Sequence, residues 1–242
     1  MTQLIRTMLQ NHAVYQVQHW RDLGIVHGFG VRDVDVATYT AHRAQRRIAT
    51  TKQMHSNIVH RLDAQNPRIL YGDAFIARSA GTVCCVRTAD CVPILLFDPA
   101  RRAVAAIHAG WQGLAANIIE ATIGALQKNY GTRGATLEAA IGPAIALRHY
   151  EVGEKVCAAL TQAGYDIAPH RSATRKKQGR IDLRGIARAA LLRCDVCAEK
   201  IFMSEHSTFD RPGEFHSYRR GTSPGQRQVS FIVCPYVLMS LR

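Results

Sequence analysis

Two short apolar runs, joined by a connection of hairpin length, restrict the possible folds of this chain most. They are residues 92–97 (VPILLF) and 103–108 (AVAAIH), with DPARR between them. A continuous apolar run of this length is typical of a strand that is buried on both faces. Because DPARR is too short for a crossover, the two strands are predicted to be antiparallel neighbours. The start of the first strand should therefore lie beside the end of the second.

The remaining pattern mixes further strands with helices. After Gly110 the apolar residues recur at helical spacing, and helices are predicted at 113–128, 153–164 and 183–193, the last capped by Asp182. Further strands are predicted at 69–77, 81–86, 138–141 and 229–233. Residues 166–178 are predicted to be an exposed loop, 209–228 a long loop of the kind that is usually functional, and the basic segment 41–52 a helix or a loop. These elements predict an α+β fold in which helices pack on mixed or antiparallel sheet layers, as a single domain over residues 1–242.

Composition narrows the class of protein. The 242 residues are 47% hydrophobic and 20% charged, which indicates a globular chain and excludes disorder. No apolar run approaches the length of a membrane helix, and no secretory signal begins the chain, so a cytoplasmic location is expected. The seven cysteines are then reduced thiols or metal ligands. The net charge of +13 predicts attraction to anions such as phosphate, nucleotides or nucleic acid.

Three soft metal ligands stand beside small or turn-forming residues. They are His55, Cys91 and His108, and Cys91 opens the first apolar strand while His108 closes the second. The hairpin therefore brings Cys91 and His108 together, whereas His55 cannot be placed by this argument. A Cys–His–His set gives zinc three tetrahedral ligands and leaves one position open, as in catalytic zinc sites. The alternative is that each is an ordinary core or loop residue.

Short motifs extend over nearly the whole chain. In chain order they are HGFGVR (27–32), QMHS (53–56), GDAF (72–75), TADCVPILL (88–96), HAGWQG (108–113), AAIGPAI (139–145), YEVG (150–153), HSYRR (216–220) and GQR (225–227). With these motifs the chain resembles the YfiH-like family, also known as laccase-domain proteins and formerly regarded as multicopper polyphenol oxidases. The pair TADC and HAGW is the most specific part of the resemblance.

The resemblance implies a YfiH-like α/β sandwich and a zinc-dependent purine nucleoside phosphorylase. Such an enzyme cleaves adenosine, inosine and S-methyl-5'-thioadenosine with phosphate, and deaminates adenosine as a side activity. It also implies that His55, Cys91 and His108 bind the metal, which is zinc, or copper under the older view. Purine nucleosides and phosphate are the expected partners of a monomer or homodimer.

Further candidate residues lie in the matching motifs. Arg32, as a catalytic group, and Arg219 and Arg220, as substrate-binding groups, could hold phosphate bidentately, or each could be a structural ion-paired arginine. Asp90, beside the catalytic Cys91, could orient a ligand or accept a proton, or it could bind local backbone amides. Gln53 stands two residues before His55, so both could face the purine, or Gln53 could be a solvated side chain.

Other readings of the same residues stay open. Copper-dependent polyphenol oxidation would need several copper sites, yet the chain has no His-x-His pair. A nucleic-acid-binding protein with structural zinc would use the positive charge, but the basic run 171–180 lacks interleaved aromatic residues, so nucleic acid is not expected as the partner. A thiol hydrolase would use Cys91 with His108. The C-x-x-C at Cys194 and Cys197 is interpreted as a plain thiol pair.

Overall fold

The computed structural model describes residues 4–40, 50–62, 69–173 and 179–236. The strands are β1 (Leu4–Leu9), β2 (His12–Val17), β3 (His27–Gly30), β4 (Thr50–Lys52), β5 (Val59–Arg61), β6 (Ile69–Tyr71), β7 (Ala74–Ala77), β8 (Val83–Thr88), β9 (Val92–Asp98), β10 (Ala103–Ala109), β11 (Glu138–Ile141), β12 (Glu151–Val152), β13 (Arg171–Ala173), β14 (Gly179–Ile181), β15 (Ile201–Met203) and β16 (Gln228–Val233). The α-helices are α1 (Gln18–Asp22), α2 (Val36–Thr40), α3 (Trp111–Ala115), α4 (Ile118–Tyr130), α5 (Glu154–Gln162) and α6 (Leu183–Arg193). No helix within these ranges is long and apolar enough to span a membrane.

A six-stranded sheet forms the middle layer, in the order β15-β11-β9-β10-β7-β5. Strands β9 and β10 lie at its centre, antiparallel as predicted, and every residue of both is buried. Ile94 and Leu96 point towards a core that includes residues of α4, α5 and α6. Leu95 and Phe97 point the opposite way, into a core shared with the second sheet. Burial on both faces explains why these runs are continuously apolar.

The second sheet has five strands in the order β1-β2-β3-β16-β8, all antiparallel. Its outer face carries a smaller apolar cluster in which Tyr39 of α2 stacks on Phe231. The fold therefore has three layers: helices, the six-stranded sheet and the five-stranded sheet. The predicted α+β class is confirmed. Small sheets β12-β14-β13 and β4-β6 complete the fold.

The helix predicted at 113–128 is divided in two. Asn117 between α3 and α4 has the left-handed backbone conformation, with φ 58° and ψ 44°, which Asn tolerates better than most residues. Helix α4 then ends at Gly131, also left-handed with φ 70°. In contrast, α6 has the predicted bounds, and Asp182 caps it by accepting from the Arg184 amide at 3.1 Å.

The strand predicted at 81–86 is β8 and the helix predicted at 153–164 is α5, each with shifted ends, and two other predictions differ more substantially. The strand predicted at 69–77 is interrupted at Gly72 and Asp73, because β6 pairs with β4 whereas β7 belongs to the six-stranded sheet. The loop predicted at 166–178 contains β13, which pairs with β14. Residues 174–178 of that loop, and 41–49 of the basic segment, lie outside the described residues, while 50–52 form β4.

Candidate metal centre

The β9–β10 hairpin brings Cys91 and His108 together, as the sequence predicted. His108 lies opposite Pro93 and Ala109 opposite Val92, so Cys91, one residue before β9, adjoins the end of β10. The segment after β4 supplies His55, whose Nε2 lies 3.8 Å from the Cys91 Sγ. The donor atoms of the three residues all lie within 4.8 Å of one another. Among the described residues they form the one group of three or more side chains spaced to hold a metal ion.

Asp73 connects two of the three donors. Its buried carboxylate lies 2.8 Å from His108 Nδ1 and accepts the backbone amides of His55 at 3.0 Å and Ser56 at 2.7 Å. The Met54 amide and the Ser56 hydroxyl also donate to it. With a proton on Nδ1 directed at Asp73, Nε2 of His108 is left as the donor atom for a metal. Sequence reasoning quoted the GDAF motif but did not select this aspartate.

The space between the donors depends on Gly110. A Cβ atom at this position would lie 2.8 Å from His55 Cδ2 and 3.0 Å from Cys91 Sγ. The φ of Gly110 is −78°, which any residue adopts, so glycine is needed here for room and not for conformation. A Cys–His–His donor set around a space that a methyl group would fill fits a tetrahedral zinc or copper ion.

The charges and hydrogen bonds around Cys91 lower the pKa of its thiol. Burial raises the pKa of Cys91, but the positive charge of His108 and hydrogen bonds with His108 and His55 outweigh it and lower that pKa to about 6. Burial lowers the pKa of His108, but the Cys91 thiolate and Asp73 outweigh it and raise that pKa to about 9. Burial also raises the pKa of Asp73, yet hydrogen bonds from His108 and Ser56 hold it far below its usual range. The thiolate, which is the ligand form of cysteine, is thus the stable form at neutral pH beside a protonated His108, and a metal ion that binds would displace the proton from His108 Nε2.

A cleft of about 580 Å³ opens over the three donors. Its wall combines apolar aromatic surface with positive charge. The volume of the cleft and the character of its wall suit a small polar ligand. The aromatic side chains of the wall are Trp111, Tyr150 and Tyr218, and the basic ones are Arg87, Arg219 and Arg227.

Asp90 lines the cleft but is fully engaged by its neighbours. Its carboxylate accepts the Thr208 hydroxyl at 2.6 Å, the Ser217 hydroxyl at 3.0 Å and the Arg219 amide at 2.7 Å. Its backbone is left-handed, with φ 91°, immediately before Cys91. Asp90 therefore fastens the 208 and 217–219 segments to the start of β9, and its catalytic role stays a prediction.

Gln53 and Arg219 also line the cleft. The Gln53 amide pairs with the backbone of Arg87, accepting its N–H at 2.7 Å and donating to its carbonyl at 2.8 Å. The Arg219 guanidinium donates to the Glu151 carbonyl at 2.9 Å and lies 5.2 Å from the centre of the Tyr150 ring. Both side chains retain free donors at the cleft, and their substrate-binding roles stay predictions.

Arg32 and Arg220 are not part of the cleft wall that the structure describes. Arg32 donates to Asp33 at 2.8 Å and to the Pro212 carbonyl at 2.9 Å. Arg220 instead donates to three backbone carbonyls, those of Thr208, Phe209 and Phe215. Two cleft arginines were missed, Arg87 and Arg227, although both stand in or directly beside quoted motifs, TADC and GQR.

Comparisons with known proteins identify relatives of this chain. Residues 30–235 match the family model described as multi-copper polyphenol oxidoreductase laccase. A purine nucleoside phosphorylase of Bacteroides thetaiotaomicron is 39% identical over 159 residues, 64% of this chain and 58% of that protein. The purine nucleoside phosphorylase YfiH of Escherichia coli is 35% identical over 182 residues, covering 75% of this chain and 71% of its own length. This chain thus spans less than two thirds of the Bacteroides protein.

A relative with a different name and a solved structure of similar fold were also found. A protein named adenosine deaminase RL5, from an unknown prokaryotic organism, is 37% identical over 165 residues, 66% of this chain and 61% of that protein. The crystal structure of YlmD from Geobacillus stearothermophilus superposes with a TM-score of 0.83 at 23% identity and covers 96% of this chain and 99% of YlmD. That similarity confirms the YfiH-like fold predicted from the motifs.

Proposed function

This chain belongs to the family whose model is described as multi-copper polyphenol oxidoreductase laccase, and we propose that it is a zinc-dependent purine nucleoside phosphorylase. Its substrates are adenosine, inosine and S-methyl-5'-thioadenosine, and deamination of adenosine is a side activity. The observation that carries the proposal is the convergence of His55, Cys91 and His108 in one cleft with aromatic and arginine side chains. The names of the relatives support the reaction.

The cleft supplies what phosphorolysis requires. An oxygen of phosphate attacks the anomeric carbon of the ribose, the bond to the purine breaks, and the base takes up a proton as it leaves. The products are the free base and ribose 1-phosphate, or 5-methylthioribose 1-phosphate when S-methyl-5'-thioadenosine is the substrate. Trp111, Tyr150 and Tyr218 offer aromatic surface for the purine, and the arginines offer bidentate donors for the phosphate.

The residues around the metal centre fix its shape. A zinc ion held by His55, Cys91 and His108 would supply a Lewis acid for charge that develops on the purine. Asp73 orients His108 and positions the His55 backbone, while Gly110 keeps the space between the donors open. A thiolate with two imidazoles suits zinc or copper better than magnesium or calcium.

Copper-dependent polyphenol oxidation is the second candidate, and the description of the matching family model favours it. Such oxidases use several copper sites. The part of the chain that the structure describes contains one His/Cys cluster suited to a metal, which supports a single ion and so favours the first proposal.

Metal content and adenosine turnover, measured on the same preparations with and without phosphate, test the proposal. The variants are Cys91→Ala and, as a matched control, Cys197→Ala at an exposed cysteine outside the cleft. We expect about one zinc per chain and phosphate-dependent release of adenine and ribose 1-phosphate in the wild type and the control, both lost in Cys91→Ala. Inosine and ammonia formed without phosphate would report the deaminase reaction.

Other outcomes contradict the proposal in separate ways. Zinc without purine turnover would leave the metal centre standing and reject the substrate. Copper with oxidation of phenols would establish the second candidate. A metal-free active enzyme that alkylation inactivates would indicate a thiol hydrolase using Cys91 and His108.

A further inference from the structure

We propose that Arg87 and Arg227 form a binding subsite for a phosphoryl group at the rim of the cleft. The assignment of the nucleoside that binds alongside rests on the proposed function, whereas binding of the anion does not. The shared chemistry is a phosphate dianion, either free phosphate or the phosphate of a nucleoside 5'-phosphate.

Strand pairing places the two arginines side by side. In the β8–β16 ladder Arg87 lies opposite Val229 and Thr88 opposite Gln228. Because side chains alternate along a strand, Arg87, Val229 and Arg227 face the same side when the pattern is continued by one residue. That side is the outer face of the sheet, which also carries Tyr39 and Phe231, and both arginines are in addition among the residues that line the cleft.

Backbone contacts position both arginines and leave most of their donors free. Arg87 donates from Nη2 to the Gly225 carbonyl at 3.1 Å, and Arg227 donates from Nη1 to the Gln226 carbonyl at 2.6 Å. The Gln53 amide fixes the Arg87 backbone to the segment that carries His55. A guanidinium has five N–H donors, so each retains enough for bidentate contact with an anion.

Neither arginine has a carboxylate partner within the described residues. Elsewhere in these residues, arginines form ion pairs with acidic side chains: Arg6, Arg32, Arg148, Arg171, Arg193 and Arg211. Asp35 feels the charge of Arg87, but its carboxylate accepts the Thr38 amide at 2.8 Å and hydroxyl at 2.9 Å. Two neighbouring positive charges without an anion repel one another, and a phosphate dianion between them removes that repulsion.

The subsite lies within reach of the metal centre. Arg87 precedes Cys91 by four residues, a span of at most about 14 Å in an extended chain. The carboxylate of Asp90 lies between them in sequence, but its oxygens are engaged by Thr208, Ser217 and Arg219. A nucleoside at the three donors and a phosphoryl group at the rim would thus occupy one cleft, which His55, Cys91, His108 and both arginines line.

Calorimetric binding to the metal-replete protein tests the subsite without turnover. The ligands are inorganic phosphate, adenosine and adenosine 5'-monophosphate, titrated into the wild type, Arg87→Gln and Arg227→Gln. Arg21→Gln is the matched control, because Arg21 is exposed and outside the cleft. Thermal melting of each variant verifies that it is folded.

We expect each cleft variant to weaken binding of the phosphoryl ligand by about tenfold or more, as for loss of a charged hydrogen-bond donor. Adenosine should bind all variants within about twofold of the wild type. If free phosphate is the ligand, its affinity falls in both variants; if the nucleotide is the ligand, only adenosine 5'-monophosphate loses affinity. Equal affinities of both anions in all four proteins overturn the subsite. Phosphate binding that depends on these arginines in a protein without phosphorolysis would reject the proposed function and leave the subsite standing.

Discussion

Asp73 fixes two of the three donors of the candidate metal centre although it contributes no donor to it. One carboxylate accepts three consecutive backbone amides, those of Met54, His55 and Ser56, and contacts His108 Nδ1. It therefore fixes the His55 segment, whose φ of 58° is unusual for histidine, and the orientation of the His108 ring.

Replacing this carboxylate should weaken metal binding. In Asp73→Asn an amide N–H₂ meets groups that are themselves donors, so we expect zinc affinity to fall about 10–100-fold and stability to fall by about 1–3 kcal/mol. Competition with a chelator and urea unfolding measure the two effects. The control is Asp98→Asn, another buried aspartate that accepts backbone amides, here of Ala100 and Arg101. It should lose stability only; unchanged zinc affinity in Asp73→Asn would contradict the role of Asp73.

Gly110 allows a second test at the scale of one residue. In Gly110→Ala the added methyl group would press against His55 and Cys91, so we expect zinc affinity to fall by about tenfold with little loss of fold. Gly153→Ala is closely matched, because Gly153 also precedes a helix with φ −80° and no atom lies within 4 Å of its added Cβ. Metal titration followed by circular dichroism compares them. Equal zinc affinity in both variants would show that the space at Gly110 is not needed.

The sequence predicted some of these residues and not others for a physical reason. Cys91 and His108 are joined by a hairpin, so local pattern alone brought them together. His55 was a candidate ligand by residue type, but only the family resemblance placed it beside the other two, because the contacts that position it are tertiary. Asp73 and Arg87 were missed for the same reason, since a lone acid or base beside a strand carries no periodic signal.

At the scale of elements, the sequence pattern predicted helix and strand ends that turn residues set, but it did not predict interruptions within an element. Helix α6 and strand β11 have the predicted bounds, since Asp182 caps the former and Gly142-Pro143 follow the latter. The apolar period continues through Asn117 although the helix breaks there, because both halves bury the same face. The break at Asp73 likewise interrupts an apolar run, because its side chain serves the metal centre instead of the sheet.

His27 at the start of β3 makes the second sheet sensitive to acid. It is fully buried, its Nε2 accepts the Val17 amide at 2.9 Å, and its Nδ1 lies 2.9 Å from the Ile25 carbonyl. Burial lowers its pKa from 6.5 to about 4, more than the Ile25 carbonyl raises it. The unfolded chain therefore binds this proton more readily, and folded stability is lost as pH falls below about 6.5.

The expected loss attributable to His27 is about 3 kcal/mol between pH 7 and pH 4. Urea unfolding of the wild type and His27→Gln at several pH values measures it, because Gln offers a donor and an acceptor but does not titrate. All other groups titrate alike in both proteins, so the difference between the two curves isolates His27. Parallel curves over this range would refute the assignment.

At the scale of the whole molecule, the layers bury the β9–β10 hairpin. The end of the hairpin where Cys91 and His108 lie faces a cleft lined by arginines. The net charge is +13, and three arginines line the cleft wall within the described residues. The β8–β16 pair of the five-stranded sheet carries the rim arginines, and the six-stranded sheet carries Cys91 and His108. The cleft thus depends on how the two sheets pack, which no single motif encodes.

Such a charge should steer phosphate towards the cleft. Screening reduces attraction beyond a Debye length of about 10 Å at 0.1 M salt. We therefore expect kcat/KM for phosphate, at saturating adenosine, to fall several-fold as sodium chloride rises from about 0.05 to about 0.5 M. The value for neutral adenosine at saturating phosphate should change less than about twofold. Steady-state rates over this range measure both values. Comparison of Arg21→Gln with Arg87→Gln separates long-range steering from competition by chloride at the rim. Steering would keep the salt dependence in both variants, whereas competition by chloride would lose it in Arg87→Gln. Equal salt dependence for phosphate and adenosine would show that the net charge has no part in capture of the anion.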